Sequence, residues 1–212
     1  MNKKILVFST VAVVLMGFAL ATYVFRNKEV SLVQQNAHLL LRTDAARLGS
    51  PLAPVTVVEF FDPECETCRR FHPMTKMLLQ EFDGKVQMLF RYAPFHANSK
   101  FAIQILEAAR QQNRYWEVLD VLYQHQPQWG DHHNPRPELI WTFLTEVGGL
   151  DMARLKVDMN EPGIQKMIEQ DLSDGRQLGV ERTPQFFVNG EPLLNFGYEQ
   201  LRQLVIKHIP RN

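Results

Sequence analysis

The chain has 212 residues, of which 45% are hydrophobic and 10% aromatic, so it is long and apolar enough to bury a core in one globular domain. Lysine plus arginine and aspartate plus glutamate number 23 each, which gives a formal net charge of zero. A neutral chain has no overall field that draws it to nucleic acid, so nucleic acid is not an expected partner.

The first 25 residues differ in character from the rest. Two lysines precede an uncharged, mostly apolar run from Ile5 to Phe25, which is typical of an export element. A small-residue cleavage site, ALA, ends at Ala21, but the run continues beyond it and is, at about 20 residues, long enough to cross a bilayer. We predict that residues 1–25 are a signal peptide or, preferably, an uncleaved signal anchor. Both place the rest in the periplasm or at the extracytoplasmic face of the inner membrane, where disulfides persist.

A predicted linker over residues 26–50 ends in the Gly- and Pro-containing sequence RLGSPLAP. VTVVEFF, from Val55, is β-branched and aromatic with almost no polar alternation, which indicates a strand buried on both faces. Apolar residues at helical spacing follow from Phe71 to Phe82, and VQMLFRYAP is predicted to be a second strand. Because a helix crosses between them, the two strands are predicted to be parallel.

Helices are predicted for the next 80 or so residues. Apolar residues recur at helical spacing over 99–125, and Asp151 is placed to cap a helix over MARLKVDM. Asn189-Gly190 between two short apolar runs predicts a β-hairpin, and YEQLRQLVIKHI predicts a final amphipathic helix. The predicted architecture is an α/β domain with a helical insertion. The domain comprises residues 51–97 and 180–212, and the insertion residues 98–179.

Cys65 and Cys68 are the only cysteines of the chain. A disulfide across two intervening residues closes a very small loop and therefore stabilises a fold weakly. A closed zinc site needs four ligands, and a second cysteine pair is absent from the sequence. His72, Met74 and Met77 lie nearby, so a copper(I) site remains an alternative.

The position of the two cysteines favours thiol chemistry. They follow a buried strand and begin a helix, whose free N–H groups and positive end stabilise a thiolate. Cys65, which comes first and is expected to be the more exposed of the two, is the predicted nucleophile. Cys68, one turn later, is placed to attack a mixed disulfide and release it.

The strand-CxxC-helix unit, the helical insertion and VERTPQFFVNGEP together resemble the DsbA-like thiol-disulfide oxidoreductases of the thioredoxin superfamily, over about residues 51–208. The resemblance implies a thioredoxin-like fold in which Pro184 is a cis-proline beside the disulfide and the backbone of Thr183 pairs with substrate. It also implies that Glu59, on the buried strand, accepts the proton of Cys68.

The resemblance further implies cysteine-containing protein substrates and a membrane redox partner, either a quinone-linked oxidase or a thiol reductant feeder. No metal or organic cofactor is expected, because the sulfurs carry the electrons. Glu66-Thr67 stands where strongly oxidising relatives have Pro-His, and a carboxylate beside Cys65 disfavours its thiolate. We therefore predict a less oxidising pair, and a reductase or isomerase remains an alternative to an oxidase.

Two further hypotheses stay open. One is a copper(I)-binding protein of the same fold, and the other is a redox-inactive scaffold that uses its helical insertion as an interaction surface. His72 and His96 are expected to be an ordinary, partly exposed helix residue and a loop residue. His132-His133 is expected to lie in an exposed loop, because two adjacent side chains diverge.

Overall fold

A computed structural model describes residues 3–210 and contains a five-stranded mixed sheet in the order β1-β3-β2-β4-β5. The strands are β1 (Ala46–Gly49), β2 (Val55–Phe61), β3 (Val86–Tyr92), β4 (Gln185–Val188) and β5 (Glu191–Pro192). The α-helices are α1 (Lys3–Gln35), α2 (Glu66–Glu81), α3 (Ser99–Arg110), α4 (Tyr115–Gln124), α5 (Gln126–Trp129), α6 (Ile140–Phe143), α7 (Met152–Asp158), α8 (Pro162–Gln177) and α9 (Tyr198–His208).

The centre of the sheet agrees with the prediction from apolar runs. β2 and β3 are parallel over their full lengths, and β2 is also antiparallel to β4. Successive side chains of a strand point to opposite faces. Val57 and Phe61 accordingly lie in the larger hydrophobic cluster, together with α2 and most of the helices, whereas Val58 and Phe60 lie in a smaller one on the other face.

The predicted hairpin is also present. β4 and β5 pair antiparallel, and both residues between them have positive φ, 45° at Asn189 and 86° at Gly190. Two-residue hairpin turns of this kind need that backbone conformation, which asparagine and glycine adopt at least cost. The Asn189 side chain also accepts a hydrogen bond from Thr56 N (2.7 Å), which ties the turn to β2.

The predicted linker over 26–50 contains two regular elements, because residues 26–35 belong to α1 and a strand lies near its end. Ala46–Gly49 form β1, which pairs antiparallel with β3 at the edge of the sheet. ARLG contains no β-branched or aromatic residue, so it carries no strand signal of its own. Gly49 has φ of 85°, and an added Cβ would lie 2.6 Å from Val86 O.

The predicted helical region over 99–125 consists of two helices. α3 and α4 are separated by residues 111–114, where Asn113 has φ of 56°, a left-handed conformation that ends a helix. Asp151 caps α7 as predicted, since its carboxylate accepts hydrogen bonds from the N–H groups of Ala153 and Arg154, both at 3.0 Å.

The end of α1 and the turn after it pack on the sheet. Val33 and Leu40 belong to the smaller hydrophobic cluster, on the face opposite α2. Fully buried Arg91 of β3 donates to Leu39 O (2.7 Å) and pairs with Asp171 (2.8 Å) and Asp174 (2.6 Å) of α8. Through this buried network, Arg91 connects the turn after α1 and helix α8 to β3.

Within residues 3–210, no helix combines the length and hydropathy needed to cross a membrane. Residues 1 and 2 of the predicted segment 1–25, and residues 211 and 212 of the predicted range 180–212, lie outside the described residues.

Candidate active site

Both cysteines lie where β2 gives way to α2. β2 ends at Phe61 and α2 begins at Glu66, with Cys65 at the N-cap and its carbonyl accepting from Arg69 N at 3.1 Å. Both thiols are free. Cys68 is fully buried, whereas Cys65 retains 7% exposure. Cys65 is thus the sulfur nearer to solvent, as predicted, although it lies at the edge of the core rather than on an open surface.

The Thr183-Pro184 turn lies directly beside Cys65. Because β4 pairs antiparallel with β2, with Gln185 opposite Phe60, the residues that precede β4 come to the end of β2 where the cysteines begin. The Thr183-Pro184 peptide bond is cis, in agreement with the resemblance, and Cys65 Sγ lies 3.3 Å from Thr183 O. The two motifs, 118 residues apart in sequence, therefore meet in space.

The two sulfurs share one proton unequally. The pKa of Cys65 falls from its ordinary 9.0 to about 5, first because Cys68 donates a side-chain hydrogen bond to the thiolate and further because of the Thr183 side chain and the backbone at Cys68 and Thr67. Burial opposes this shift. The pKa of Cys68 rises well above 9.0, mainly because it is desolvated and because it gives its proton to the bond with Cys65. The pair therefore holds a Cys65 thiolate and a Cys68 thiol at neutral pH.

Glu59 lies beneath this pair. Its side chain is on the same face of β2 as Val57 and Phe61, two residues away on either side, which is the face that α2 covers. It is buried, and desolvation followed by the charge of Cys65 raises its pKa from 4.5 to about 8. Glu59 in turn contributes to the raised pKa of Cys68. The structure thus brings together all five predicted site residues, Glu59, Cys65, Cys68, Thr183 and Pro184, while their individual roles stay predictions.

Two buried carboxylates hold the turn before Cys65, and sequence reasoning missed both. Asp62 accepts hydrogen bonds from Glu64 N (2.9 Å), Phe95 N (2.8 Å) and the ring of His96 (2.7 Å). Glu64 accepts from the backbone (2.6 Å) and the side chain (2.8 Å) of Asn98. In the sequence, Asp62-Pro63 indicated only the end of a strand. The one signal for these contacts was the presence of two acidic residues, Asp62 and Glu64, directly after a buried strand.

A third contact reaches the same turn from the helical layer. Gln126, at the start of α5, donates its side-chain amide to Pro63 O at 2.8 Å. Gln126 is itself almost fully buried. The backbone on which Cys65 sits is therefore fixed from the β3–α3 loop and from α5.

The histidines near the site differ from one another. His72 is buried rather than partly exposed, because its ring pairs with Asp120 of α4 at 2.8 Å and packs on Tyr123. His96 is a loop residue, as expected, but its ring is hydrogen-bonded to Asp62 and lies 5.1 Å from the ring of His132. His132 and His133 are exposed.

No cluster of three or more His, Cys, Asp or Glu side chains suited to a metal ion occurs in the described part of the chain. Cys65 and Cys68 are the soft ligands that a copper(I) ion would use.

A reactive thiolate at the start of a helix, a buried partner thiol one turn later and a cis-proline turn against the first sulfur define a dithiol redox site on a thioredoxin-like fold. The family comparison agrees. Residues 42–207 match the model of the thioredoxin family, and the chain belongs to that family.

Known proteins of several kinds are similar to this chain. A solved thioredoxin-like oxidoreductase from Silicibacter pomeroyi is 31% identical with a TM-score of 0.68, and the match covers 80% of this chain and 94% of that one. The probable disulfide bond formation protein D of Bacillus cereus is 27% identical over 77% of this chain and 78% of that protein. These similarities confirm the resemblance inferred from the motifs.

The Na(+)/H(+) antiporter NhaA of Herminiimonas arsenicoxydans is also similar, with 31% identity over 145 residues, or 68% of this chain. The match covers 22% of the antiporter. The chain thus corresponds to about a fifth of the length of this relative.

Proposed function

We propose that this protein is an extracytoplasmic thiol-disulfide oxidoreductase that exchanges disulfides with cysteine-containing proteins. The observation that carries the proposal is the Cys65 sulfur, whose pKa is lowered to about 5 and which lies 3.3 Å from the backbone carbonyl of Thr183. A thiolate at neutral pH is the form that attacks, or leaves, a disulfide. A backbone carbonyl next to it offers an acceptor for an extended substrate segment.

In the oxidising direction, a substrate thiolate attacks Sγ of Cys65 and breaks the Cys65–Cys68 bond, with Cys68 as the leaving sulfur. This step forms a mixed disulfide between substrate and Cys65. A second substrate thiolate then attacks the substrate sulfur of that bond and releases Cys65 as a thiolate. Two electrons pass from substrate to the protein, and Cys68 takes up one proton.

Glu59 is proposed to exchange that proton with Cys68. In the reduced state the Cys65 thiolate contributes to the raised pKa of Glu59, about 8. In the mixed disulfide Cys65 carries no charge, so this contribution disappears and a larger fraction of Glu59 is ionised. Glu59 is therefore better able to accept a proton when Cys68 must become a thiolate and resolve the intermediate.

The lowered pKa of Cys65 also bears on the direction of electron flow. Dithiol pairs whose nucleophile has a pKa near about 7 have potentials of about −270 mV, and pairs near about 3.5 reach about −120 mV. A value of about 5 for Cys65 lies between them. We propose a moderately oxidising pair, less so than in the strongly oxidising relatives, with the sulfurs as the sole redox group.

An extracytoplasmic location and a membrane redox partner, either a quinone-linked oxidase or a thiol reductant feeder, complete the proposal. The uncharged run at the start of the chain supports a signal peptide or anchor, and the described side chains of α1 from Val11 to Phe25 are exposed rather than packed on the domain. Such a compartment is one in which disulfides persist.

Cys68→Ser tests the proposal, because it removes the resolving sulfur and leaves Cys65 able to attack. Expressed in its native compartment, this variant is expected to accumulate mixed disulfides with other proteins that thiol reductants release, and Cys65→Ser is the control that forms none. Copper(I) binding that both substitutions abolish, without any adducts from Cys68→Ser, would instead establish a metal-binding protein. The potential of the wild-type pair against glutathione then distinguishes an oxidase from a reductase.

A further inference from the structure

His96 is held at the active site by Asp62. Its ring Nδ1 and its backbone N–H both contact Asp62 Oδ2, at 2.7 and 3.2 Å. Asp62 has no exposed surface, whereas His96 retains 25% side-chain exposure. A carboxylate at Nδ1 keeps the proton on that nitrogen, which leaves Nε2 as the nitrogen that gains or loses a proton.

The same Asp62 also carries Cys65. The backbone N–H of Cys65 donates to Asp62 O at 3.1 Å, so a single buried residue fixes both the imidazole and the reactive cysteine. The pKa of His96 is raised from 6.5, first by its hydrogen bond to Asp62 and then also by the charges of Cys65 and Glu64.

Interaction between two titrating groups is mutual. If the Cys65 thiolate favours protonated His96, then protonated His96 favours the thiolate to the same degree. The dipeptide between the cysteines, Glu66-Thr67, brings a carboxylate rather than a cation to the pair. A cation that stabilises the Cys65 thiolate must therefore come from elsewhere in the fold.

We propose that protonated His96, positioned by Asp62, is the cation that stabilises the Cys65 thiolate and so strengthens the disulfide as an electron acceptor. The inference rests on the proposed redox function and adds a residue that sets its potential. Reducing the disulfide takes two electrons and one proton and leaves a thiolate on Cys65 and a thiol on Cys68. A cation beside Cys65 therefore stabilises the reduced state and not the disulfide, which has no charge there.

The charged groups that face His96 define the pH range of the effect. Asp62 and Glu64 precede α2, Cys65 is the N-cap residue of α2, and His132 approaches from the loop after α5. Both acids favour the imidazolium, and a protonated His132 opposes it. The effect needs a thiolate on Cys65, which forms above about pH 5, and a proton on His96, which is lost as the pH rises through its raised pKa.

His96→Gln tests the inference by removing the charge while keeping a side-chain amide that can donate to Asp62. We expect the pKa of Cys65, followed by thiolate absorbance in the reduced full chain, to rise by about one unit, the low end of the effect of a nearby opposite charge. The equilibrium constant for oxidising a dithiol should fall about tenfold, which corresponds to about 30 mV. His96→Lys should recover part of both changes.

The matched control is His208→Gln. His208 also pairs with a carboxylate, Glu191 at 3.0 Å, and its side chain has 22% exposure, but it lies at the end of α9. This variant should leave the Cys65 titration and the potential unchanged. Wild-type protein and His96→Gln should also converge in potential at a pH well above the ordinary range of histidine, where both lack the charge.

An unchanged Cys65 titration in His96→Gln, with unfolding shifted to lower temperature, would overturn the inference and make His96 a structural anchor of its loop. So would a potential difference that persists at high pH. Neither result would touch the proposed function, because the thiolate titration needs no substrate and the trapped adducts of Cys68→Ser report on exchange independently.

Discussion

The hydrogen bond from Cys68 to Cys65 is the largest cause of the lowered Cys65 pKa, and two substitutions at Cys68 test it. Cys68→Ala deletes the donor, whereas Cys68→Ser replaces S–H with O–H at the same position. Because these are the only two cysteines, each variant leaves one thiol, and every thiolate signal then belongs to Cys65.

A hydrogen bond to a charged group contributes about 1.5–3 kcal/mol, and one pKa unit corresponds to about 1.36 kcal/mol. Losing the Cys68 donor should therefore raise the Cys65 pKa from about 5 by about one to two units in Cys68→Ala. The pKa should stay nearer to 5 in Cys68→Ser, because the hydroxyl still donates. The backbone at Thr67 and Cys68 remains in both variants and keeps the pKa below its ordinary value.

The assay is the pH dependence of thiolate absorbance, repeated as the rate of alkylation by iodoacetamide. Cys68 has no exposed surface, so thermal unfolding of both variants must show that the fold survives. If the alanine and serine variants titrate together near 5, the Cys68 thiol does not lower the pKa of Cys65, and the Thr183 side chain and the backbone at Thr67 and Cys68 account for the shift. If both variants titrate near the ordinary value of 9.0, those contributions are absent as well.

Three further outcomes are expected. Leu40→Ala, at a residue with 2% exposure in the smaller cluster, should lower the free energy of unfolding by about 2–5 kcal/mol in chemical denaturation. Leu41→Ala, at a residue with 62% exposure, should lower it by less than about 0.5 kcal/mol. Equal losses would show that the turn after α1 does not pack on the sheet. Asp171→Asn should lower the free energy of unfolding by about 3–5 kcal/mol, because it removes one of the two carboxylates that pair with buried Arg91. A loss under about 1 kcal/mol would show that this pair contributes no more than a surface ion pair. Glu59→Gln should slow release of a mixed disulfide in stopped-flow measurements and abolish its rise with pH at or below about 8; an unchanged pH profile would exclude Glu59 as the proton acceptor.

The elements that sequence alone predicts are those whose cause is local. The β2 and β3 runs are mostly apolar because both faces of these strands are covered, and the Asn189-Gly190 turn needs positive φ at two successive residues. Asp151 precedes an amphipathic segment and caps it. In each case the residues that carry the signal are the ones that form the contact.

What the sequence did not predict depends on distant partners. ARLG forms β1 only because the edge of β3 is available to pair with it. His72 was expected to be partly exposed, yet it is buried because Asp120, 48 residues away, accepts its hydrogen bond. The pairing of Arg91 with Asp171 likewise spans 80 residues. Side-chain patterns within one helix or strand carry no information about such pairings.

The active site divides in the same way. The spacing of the cysteines and the start of a helix, both local, identify which atoms react and why one of them ionises. How strongly it ionises depends on the position of the turn before it, and that turn is held through Asp62, Glu64 and Pro63 by groups 34 to 63 residues away. A substitution at His96, Asn98 or Gln126 can therefore alter the chemistry of Cys65 without touching it. For this reason the CxxC motif is enough to predict the class of reaction, whereas the reduction potential depends on the tertiary contacts around the motif.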